Sequence, residues 1–202
     1  WLEGQFLART VADLTSRLEE EGIEAVPMRG SSEKGENKKM AEGKPAADVC
    51  LDSKVMAQAA GLGSIGKGGF FLTKEYGHRQ RFAMIITDAE FEADEVVSLD
   101  LCAGCSACAD ACPLKAMNKA KTSKAGLKNA GCDVFELNTN LCANCANGRT
   151  ESLSEKIDRS ASSCGRACLV ALENKIGNKF ENKFRKRKVW TRDLYGKAHL
   201  ED

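Results

Sequence analysis

The stretch Cys102-Ala-Gly-Cys105-Ser-Ala-Cys108-Ala-Asp-Ala-Cys112-Pro113 carries the clearest chemical signal in the chain. Its C-x2-C-x2-C-x3-C-P spacing is the bacterial ferredoxin pattern for iron–sulfur ligation. In that pattern three closely spaced thiolates bind one cluster, and the fourth cysteine binds a neighbouring cluster. We therefore expect a second group of cysteines elsewhere in the chain.

A second group follows downstream, and its members are Cys132, Cys142, Cys145, Cys164 and Cys168. Two 4Fe-4S clusters need about eight thiolates. Of the 10 cysteines in the chain, only Cys50 lies outside the two groups. Cys50 falls on a strand-like apolar stretch and is expected in the buried core. One grouped cysteine is therefore expected to be spare.

Zinc and disulfides are the alternatives for closely spaced cysteines. A structural zinc site takes four ligands, usually as two separated pairs, and the run ending at Pro113 has more steps than such a site uses. The sequence shows no secretory signal and no long apolar run. We therefore expect a reducing cytoplasm and no membrane span, which favours iron–sulfur over a disulfide framework.

The composition allows one or two small domains with a real core. The 202 residues are 43% hydrophobic and carry a formal net charge of +1. Near-neutral charge gives no overall attraction to nucleic acid, so nucleic acid is not an expected partner. The chain opens at Trp1 without a methionine, and we expect residues to be missing from its front.

Helix and strand patterns precede the cysteines. Apolar residues between Phe6 and Leu18 recur at helical spacing, and residues 23–28 are typical of a short buried strand. A second helix is expected to begin at Asp52 or Ser53 and to end at the following glycines.

Two later segments, 70–73 and 82–87, are rich in strand-forming residues. A turn-like region separates them, so they are predicted to pair as a hairpin. The expected fold class is α+β, with a small α/β layer domain over 1–95, a ferredoxin-like double-cluster domain over 96–180 and a basic tail over 181–202.

The glycine-rich segment from Gly61 to Gly69 satisfies G-x-G-x-x-G and nearly satisfies the P-loop pattern. A nucleotide loop leaves a strand and enters a helix, whereas the predicted order here is helix, loop, strand. Gly68 also stands where a magnesium-binding hydroxyl is needed. We therefore disfavour a nucleotide site, although backbone amides and Lys67 could hold another anionic group.

Four short strings resemble the epoxyqueuosine reductase and reductive dehalogenase superfamily. They precede the cysteine run in the same order as in that superfamily, and they are Ser53-Lys54, Ala60-Gly61-Leu62-Gly63-Ser64-Ile65-Gly66-Lys67, Lys74-Glu75-Tyr76-Gly77-His78-Arg79-Gln80-Arg81-Phe82 and Ile86-Thr87-Asp88. The resemblance covers about residues 45–118 and suggests a truncated or divergent member. It implies a corrinoid beside two 4Fe-4S clusters that pass single electrons to cobalt. The residues that it places in the corrinoid region are Gly61, Gly63, Gly66, Lys67 and Arg79.

The resemblance also guides the cluster assignment. Relatives end the second cysteine group with C-x2-C-x3-C-P, and Arg149 stands at the position of its last cysteine. Cys164 and Cys168 are therefore expected to substitute for the missing cysteine by way of a longer loop. The expected ligands are Cys102, Cys105, Cys108 and Cys168 for one cluster, and Cys112, Cys142, Cys145 and Cys164 for the other. Cys132 is the expected non-ligand, with an exchange between Cys132 and Cys164 as the open alternative.

Tyr76 and His78 are weak candidates for proton donation to a substrate. A surface loop histidine and a packed tyrosine ring are the simpler interpretations of the two residues. The basic segment 183–190 contains aromatic residues and could bind RNA or an acidic redox partner, but a solvated face is preferred.

These patterns predict a cytoplasmic iron–sulfur electron-transfer protein that relays single electrons to a corrinoid or to a partner active site. One alternative is a ferredoxin-type redox subunit of a larger complex, without a corrinoid of its own. Another is a redox-sensing structural iron–sulfur protein. The expected electron donor is a low-potential ferredoxin or flavodoxin, and a partner enzyme subunit is a further expected contact.

Overall fold

The computed structural model describes residues 2–28, 52–147, 159, 162–177, 179, 190–192 and 198–200. Five helices and eight strands lie within these residues. In chain order they are α1 (Leu2–Glu20), β1 (Ala25–Met28), α2 (Ser53–Ala59), β2 (Ser64–Ile65), β3 (Phe71–Leu72), β4 (Met84–Thr87), α3 (Ala107–Asp110), β5 (Met117–Ala125), β6 (Cys132–Leu137), α4 (Thr139–Ala143), α5 (Ser163–Leu172), β7 (Trp190–Arg192) and β8 (Ala198–Leu200). Cys50, Arg149 and most of the basic tail lie outside the described residues.

Helix α1 packs on the antiparallel pair formed by β1 and β4. The helix ends at Glu20, and the turn that follows it contains Gly22, whose φ of +84° glycine adopts without strain. Glu24 then donates its backbone N–H to Asp88 Oδ1 at 2.9 Å, which continues the pairing beyond the strands. The predicted first helix and first strand are therefore present, with the strand confined to Ala25–Met28. The expected burial of the strand is wrong, because only Ala25 is buried and Val26 is 51% exposed.

The predicted hairpin between 70–73 and 82–87 is wrong. Strand β3 pairs with β2, whereas β4 pairs with β1. The glycine-rich turn explains the difference, because the Gly66 N–H bonds the Phe70 carbonyl at 2.8 Å and closes a tight β2–β3 hairpin. Strand propensity identified the two segments correctly, but propensity alone does not determine which strands pair with them.

Helix α2 is tied to the cysteine-containing half through a buried glutamine. Its N-cap is Asp52, whose carboxylate accepts from the backbone N–H groups of residues 54 and 55. Gln58 is 1% exposed. It donates to the Ala130 carbonyl at 2.8 Å and accepts from the Leu127 N–H at 3.1 Å. The helix is thereby fixed to the turn between β5 and β6.

The main core is built from both halves of the described chain. Helix α3 packs on α5, and β3 lies beside them. The buried members of this core are Phe70, Leu72, Cys108, Ala109, Met117, Phe135, Cys164, Cys168, Leu172 and Ile176. The fold is thus a mixed arrangement of helices and small sheets, in which cysteines form part of the core. None of the helices in the described residues is both long and apolar enough to cross a membrane.

Candidate metal centre

The first cavity is lined by cysteines from two distant parts of the chain. Three come from the loop that leads into α3 and from α3 itself, and the fourth comes from α5. These residues are Cys102, Cys105, Cys108 and Cys168. The glycine-rich turn and the side chains of Phe70, Leu72 and Leu172 complete the wall. Packing of α3 on α5 therefore brings a thiol from far along the chain to the first three.

The second cavity has the same composition at its centre. Its cysteines are Cys112, Cys142, Cys145 and Cys164. The wall also includes Pro113, Met117, Arg159 and Ser162. The two cavities are both small, with volumes of about 10 Å³ for the first and about 20 Å³ for the second. Each cavity therefore offers four thiols in a largely apolar enclosure.

Each of the two cysteine groups contributes one member to the other group's cavity: Cys112 lines the second cavity and Cys168 lines the first. Cys108 and Cys112 are successive cysteines of one run but line different cavities. Cys164 and Cys168 both lie on α5 and also line different cavities. This crossed arrangement matches the two-cluster ferredoxin pattern, in which the fourth cysteine of a run serves the other cluster. Iron ligation by these eight cysteines stays a prediction.

Burial raises the pKa of several of these thiols. The pKa of Cys108 rises to about 11, mainly through loss of water and further through nearby Cys102. Loss of water likewise raises the pKa of Cys168, Cys102 and Cys142 above the usual range. A bound metal reverses this preference because it ligates the thiolate and displaces the proton. The cavities therefore suit a cationic metal centre better than free thiolates.

Hydrogen-bond donors accompany several of the sulfur atoms. The Ala116 N–H lies 3.2 Å from Cys112 Sγ. Ser162 Oγ lies 2.9 Å from Cys164 Sγ, but the Ser162 hydroxyl donates its proton to the Arg159 carbonyl at 2.5 Å, so this contact adds no donor to the sulfur. The backbone N–H of Lys67 favours the thiolate form of Cys102 and so lowers its pKa, against the larger effect of burial. Donors of this kind stabilise thiolate ligands and adjust the potentials of iron–sulfur clusters.

The glycine-rich turn lies directly against the first cavity. A Cβ on Gly66 would lie 2.9 Å from Cys102 Sγ, and a Cβ on Gly68 would lie 2.7 Å from Cys108 Sγ. These glycines are therefore required for close approach to the thiols. Sequence reasoning placed this segment near a corrinoid and missed its contact with the cysteines.

A Gly68→Ala substitution is expected to weaken the retention of iron in the first cavity. The added methyl would contact Cys108 Sγ and also Phe70 Cδ2 at 3.1 Å. Overpacking of this kind costs about 1–3 kcal/mol. We expect faster loss of iron on anaerobic dilution with a chelator, measured by iron released per chain. Gly4→Ala is the control, because no atom lies within 4 Å of its added Cβ. Equal iron release from both variants would contradict this expectation.

Cys132 lies outside both four-cysteine cavities. It begins β6, and its Sγ lies 3.6 Å from Gln58 Nε2 and 3.9 Å from the Ala130 carbonyl oxygen. Its side chain is partly buried against the smaller core around Phe71. These contacts give Cys132 a place in the packing of α2 against the β5–β6 turn.

A Cys132→Ser variant is expected to keep the iron content of the wild-type protein. The physical reason is that its sulfur contacts Gln58 and backbone rather than either cavity. Iron per chain, measured after anaerobic purification, checks the prediction. Loss of about half the iron would instead place Cys132 among the ligands of one cluster.

A third cavity of about 490 Å³ adjoins the first. It shares Gly66, Lys67 and Cys102 with that cavity, and residues 96–100 and 130–133 form much of its remaining wall. Its volume lies in the range of small-molecule sites, about 300–1,000 Å³. The structure therefore brings Gly66 and Lys67 to a ligand-sized space beside Cys102.

The other residues of the expected corrinoid region lie elsewhere. Gly61 approaches the Glu95 carbonyl, with 2.7 Å between that oxygen and an added Cβ, and Gly63 packs against β3. Arg79 pairs with Glu173 next to the end of α5. None of Gly61, Gly63 and Arg79 is among the described residues that line the third cavity.

His78 is not a surface histidine, contrary to the preferred sequence interpretation. It is 7% exposed, and its ring stacks on Phe70 with 4.7 Å between centroids. Its Nε2–H donates to the Gly165 carbonyl at 2.9 Å. Burial lowers the pKa of His78, so the neutral ring is favoured. Gly165 lies between Cys164 and Cys168, so His78 holds the part of α5 that carries both cysteines. The other candidate, Tyr76, is 45% exposed.

Comparison with known proteins agrees with this chemistry. Residues 95–118 match the family model described as a 4Fe-4S binding domain. The tetrachloroethene reductive dehalogenase of Dehalobacter restrictus is 38% identical over 84 residues, which is 40% of this chain and 15% of that protein. The epoxyqueuosine reductase of Lactococcus garvieae is 39% identical over 62 residues, 31% of this chain and 17% of that protein. For the Bacillus subtilis epoxyqueuosine reductase the values are 37%, 67 residues, 33% and 17%.

These matches confirm the resemblance found in the sequence. Residues 95–118 match a 4Fe-4S binding domain, and the similarity to reductive dehalogenases and epoxyqueuosine reductases over 31–40% of the chain supports that superfamily. They also support an iron–sulfur redox role. The matched stretch spans only 15–17% of the length of these relatives.

Proposed function

We propose that this chain binds two 4Fe-4S clusters and relays single electrons to a corrinoid or to a partner active site. The observation that carries the proposal is the pair of four-cysteine cavities with one crossed member in each run. Clusters of this type supply one-electron transfer when bound.

The donor sets fit such clusters. Each cavity offers four thiols, and thiolates are the ligands preferred by iron–sulfur clusters. The thiols surround a space. In the described part of the chain, no three or more His, Cys, Asp or Glu side chains form a group that could hold a single metal ion. The cysteines would hold the clusters, the nearby N–H groups would stabilise sulfur, and the apolar walls would limit water.

The third cavity suggests a direction for the electrons. It adjoins the first cavity at Cys102 and shares no lining residue with the second. On this proposal the second cavity faces the donor, a low-potential ferredoxin or flavodoxin, and the first delivers to the acceptor. Helix α5 carries a ligand for each and so fixes their separation.

A corrinoid is the acceptor suggested by the superfamily resemblance. Lys67 and the backbone at Gly66 would contact it in the third cavity. A corrinoid with its macrocycle and nucleotide tail is larger than a drug-sized ligand, so 490 Å³ would enclose only part of it. Other protein would have to cover the remainder.

We also propose that the chain consists of an α/β part up to about residue 95 and a ferredoxin-like part beyond it, and that it acts in the cytoplasm.

The same observation favours a second candidate. A cavity that encloses only part of a corrinoid also suits a redox subunit whose partner supplies the acceptor. The match to only 15–17% of the relatives' length leaves room for this function. Cobalt content distinguishes the two candidates.

The test is iron, cobalt and zinc per chain, measured on protein purified from its native source without oxygen. About eight irons with stoichiometric cobalt would support the corrinoid-linked reductase. About eight irons without cobalt would support the redox subunit. Zinc in place of iron would overturn the proposed function.

A further inference from the structure

Arg159 lies on the wall of the second cavity, together with Cys142 and Cys164. Its guanidinium also contacts the glycine-rich turn. Nη2 donates to the Gly68 carbonyl at 2.7 Å, and the guanidinium carbon lies 4.8 Å from the centre of the Phe70 ring. The side chain is therefore fixed between the turn at the first cavity and the thiols of the second.

One donor of this guanidinium has no partner. Arg159 Nε is buried and makes no hydrogen bond within the described residues. The salt bridges found among those residues likewise include none to Arg159. Arg159 as a whole is half-buried, but a buried N–H without an acceptor is costly, and an anionic acceptor would satisfy it best. A thiolate-ligated cluster in the second cavity would provide both negative charge and sulfur acceptors.

We propose that Arg159 donates its Nε–H to a sulfur of the cluster in the second cavity and raises the reduction potential of that cluster. The inference rests on the proposed function. Reduction adds one negative charge to a cluster, so a fixed cation and an N–H donor stabilise the reduced state more than the oxidised state. The first cluster is affected less, because Phe70 and the backbone of the turn lie between it and the guanidinium.

This role differs from a purely structural one. If Arg159 served only to attach residue 159 to the turn through Gly68, its replacement would alter stability and iron retention but not the potential of one loaded cluster. The potentials of the two clusters are therefore the decisive quantities. Arg159→Gln removes the charge, whereas Arg159→Lys keeps the charge and removes the Nε–H.

The experiment is a redox titration of anaerobically purified, iron-loaded protein, followed by electron paramagnetic resonance. In Arg159→Gln we expect the reduced-to-oxidised ratio of one cluster to fall at least tenfold at its wild-type midpoint, which is about 59 mV for one electron. Arg159→Lys is expected to shift the same cluster by a smaller amount. The other cluster is expected to keep its potential in both variants.

Lys175→Gln is the matched control. Lys175 is an exposed cation at the first cavity, where its Nζ contacts the carbonyls of Leu101 and Ala103 at 3.2 and 3.3 Å. Its replacement is expected to leave the cluster affected by Arg159 unchanged.

Unchanged midpoints in Arg159→Gln, or equal shifts of both clusters, would overturn the inference. If Arg159→Gln does not retain its second cluster, the result for Arg159→Lys decides: an unchanged midpoint would overturn the proposed hydrogen bond, and a lower one would support it. Failure of the proposed function would instead appear in the wild-type protein, as the absence of cluster signals and of iron.

Discussion

A Cys168→Ala variant is expected to lose one cluster and keep the other. Cys168 is the α5 thiol of the first cavity, whereas Cys164 is the α5 thiol of the second. Clusters of this type take four thiolates, so we expect the site left with three to lose its iron during purification and the iron content to fall from about eight to about four per chain. The measurement is iron content together with electron paramagnetic resonance of the reduced protein.

The matched variant is Cys164→Ala, which lies one helical turn away on the same helix. It is expected to lose a similar amount of iron. The signal that it loses should be that of the cluster in the second cavity, which Cys168→Ala keeps. The two variants should therefore have complementary spectra. Identical spectra from the two variants, or full iron content in either, would contradict the assignment of one α5 cysteine to each cavity.

Replacement of Glu173 by alanine is expected to destabilise the fold strongly. Glu173 pairs with Arg79, and the two side chains are only 9% and 16% exposed. The alanine variant breaks this largely buried ion pair, and breaking a buried pair costs about 3–5 kcal/mol. The expected result is a lower free energy of unfolding, measured by anaerobic denaturant titration of iron-loaded protein with circular dichroism.

Asp133→Ala supplies the control for this prediction. Its partner is Lys124 at 2.9 Å, and the two side chains are 58% and 70% exposed. Water screens such a pair, so its loss should cost no more than about 1 kcal/mol. If Glu173→Ala were as stable as Asp133→Ala, the buried pair would not be needed to hold the segment at Arg79 against the end of α5.

The sequence predicted local chemistry better than long-range pairing. The cysteine spacing was sufficient to predict that Cys112 would serve a different site from Cys108, because that division is a property of the run itself. The segments that became β3 and β4 were recognised from their composition. Their pairing partners were not predicted. The tight glycine turn pairs β3 with β2, which is closer in sequence than β4.

The burial of His78 and the placement of Arg159 were not predicted from the sequence. His78 follows a turn and therefore suggested exposure, but the docking of α5 buries it against Gly165. Arg159 belongs to no motif, and only the folded chain brings it between the glycine-rich turn and the second cavity. The weak signal for His78 was its position within the string shared with the superfamily. For Arg159 the sequence carries no comparable signal.

The position of Cys164 and Cys168 on one helix has a consequence for biosynthesis. During translation the other six cysteines of the two cavities emerge first, and each cavity is completed only when α5 has been made. On the proposed ligation, neither cluster can be fully held by a nascent chain that stops before residue 164. Insertion of iron would therefore be a late step, and the two centres would mature almost together rather than one after the other.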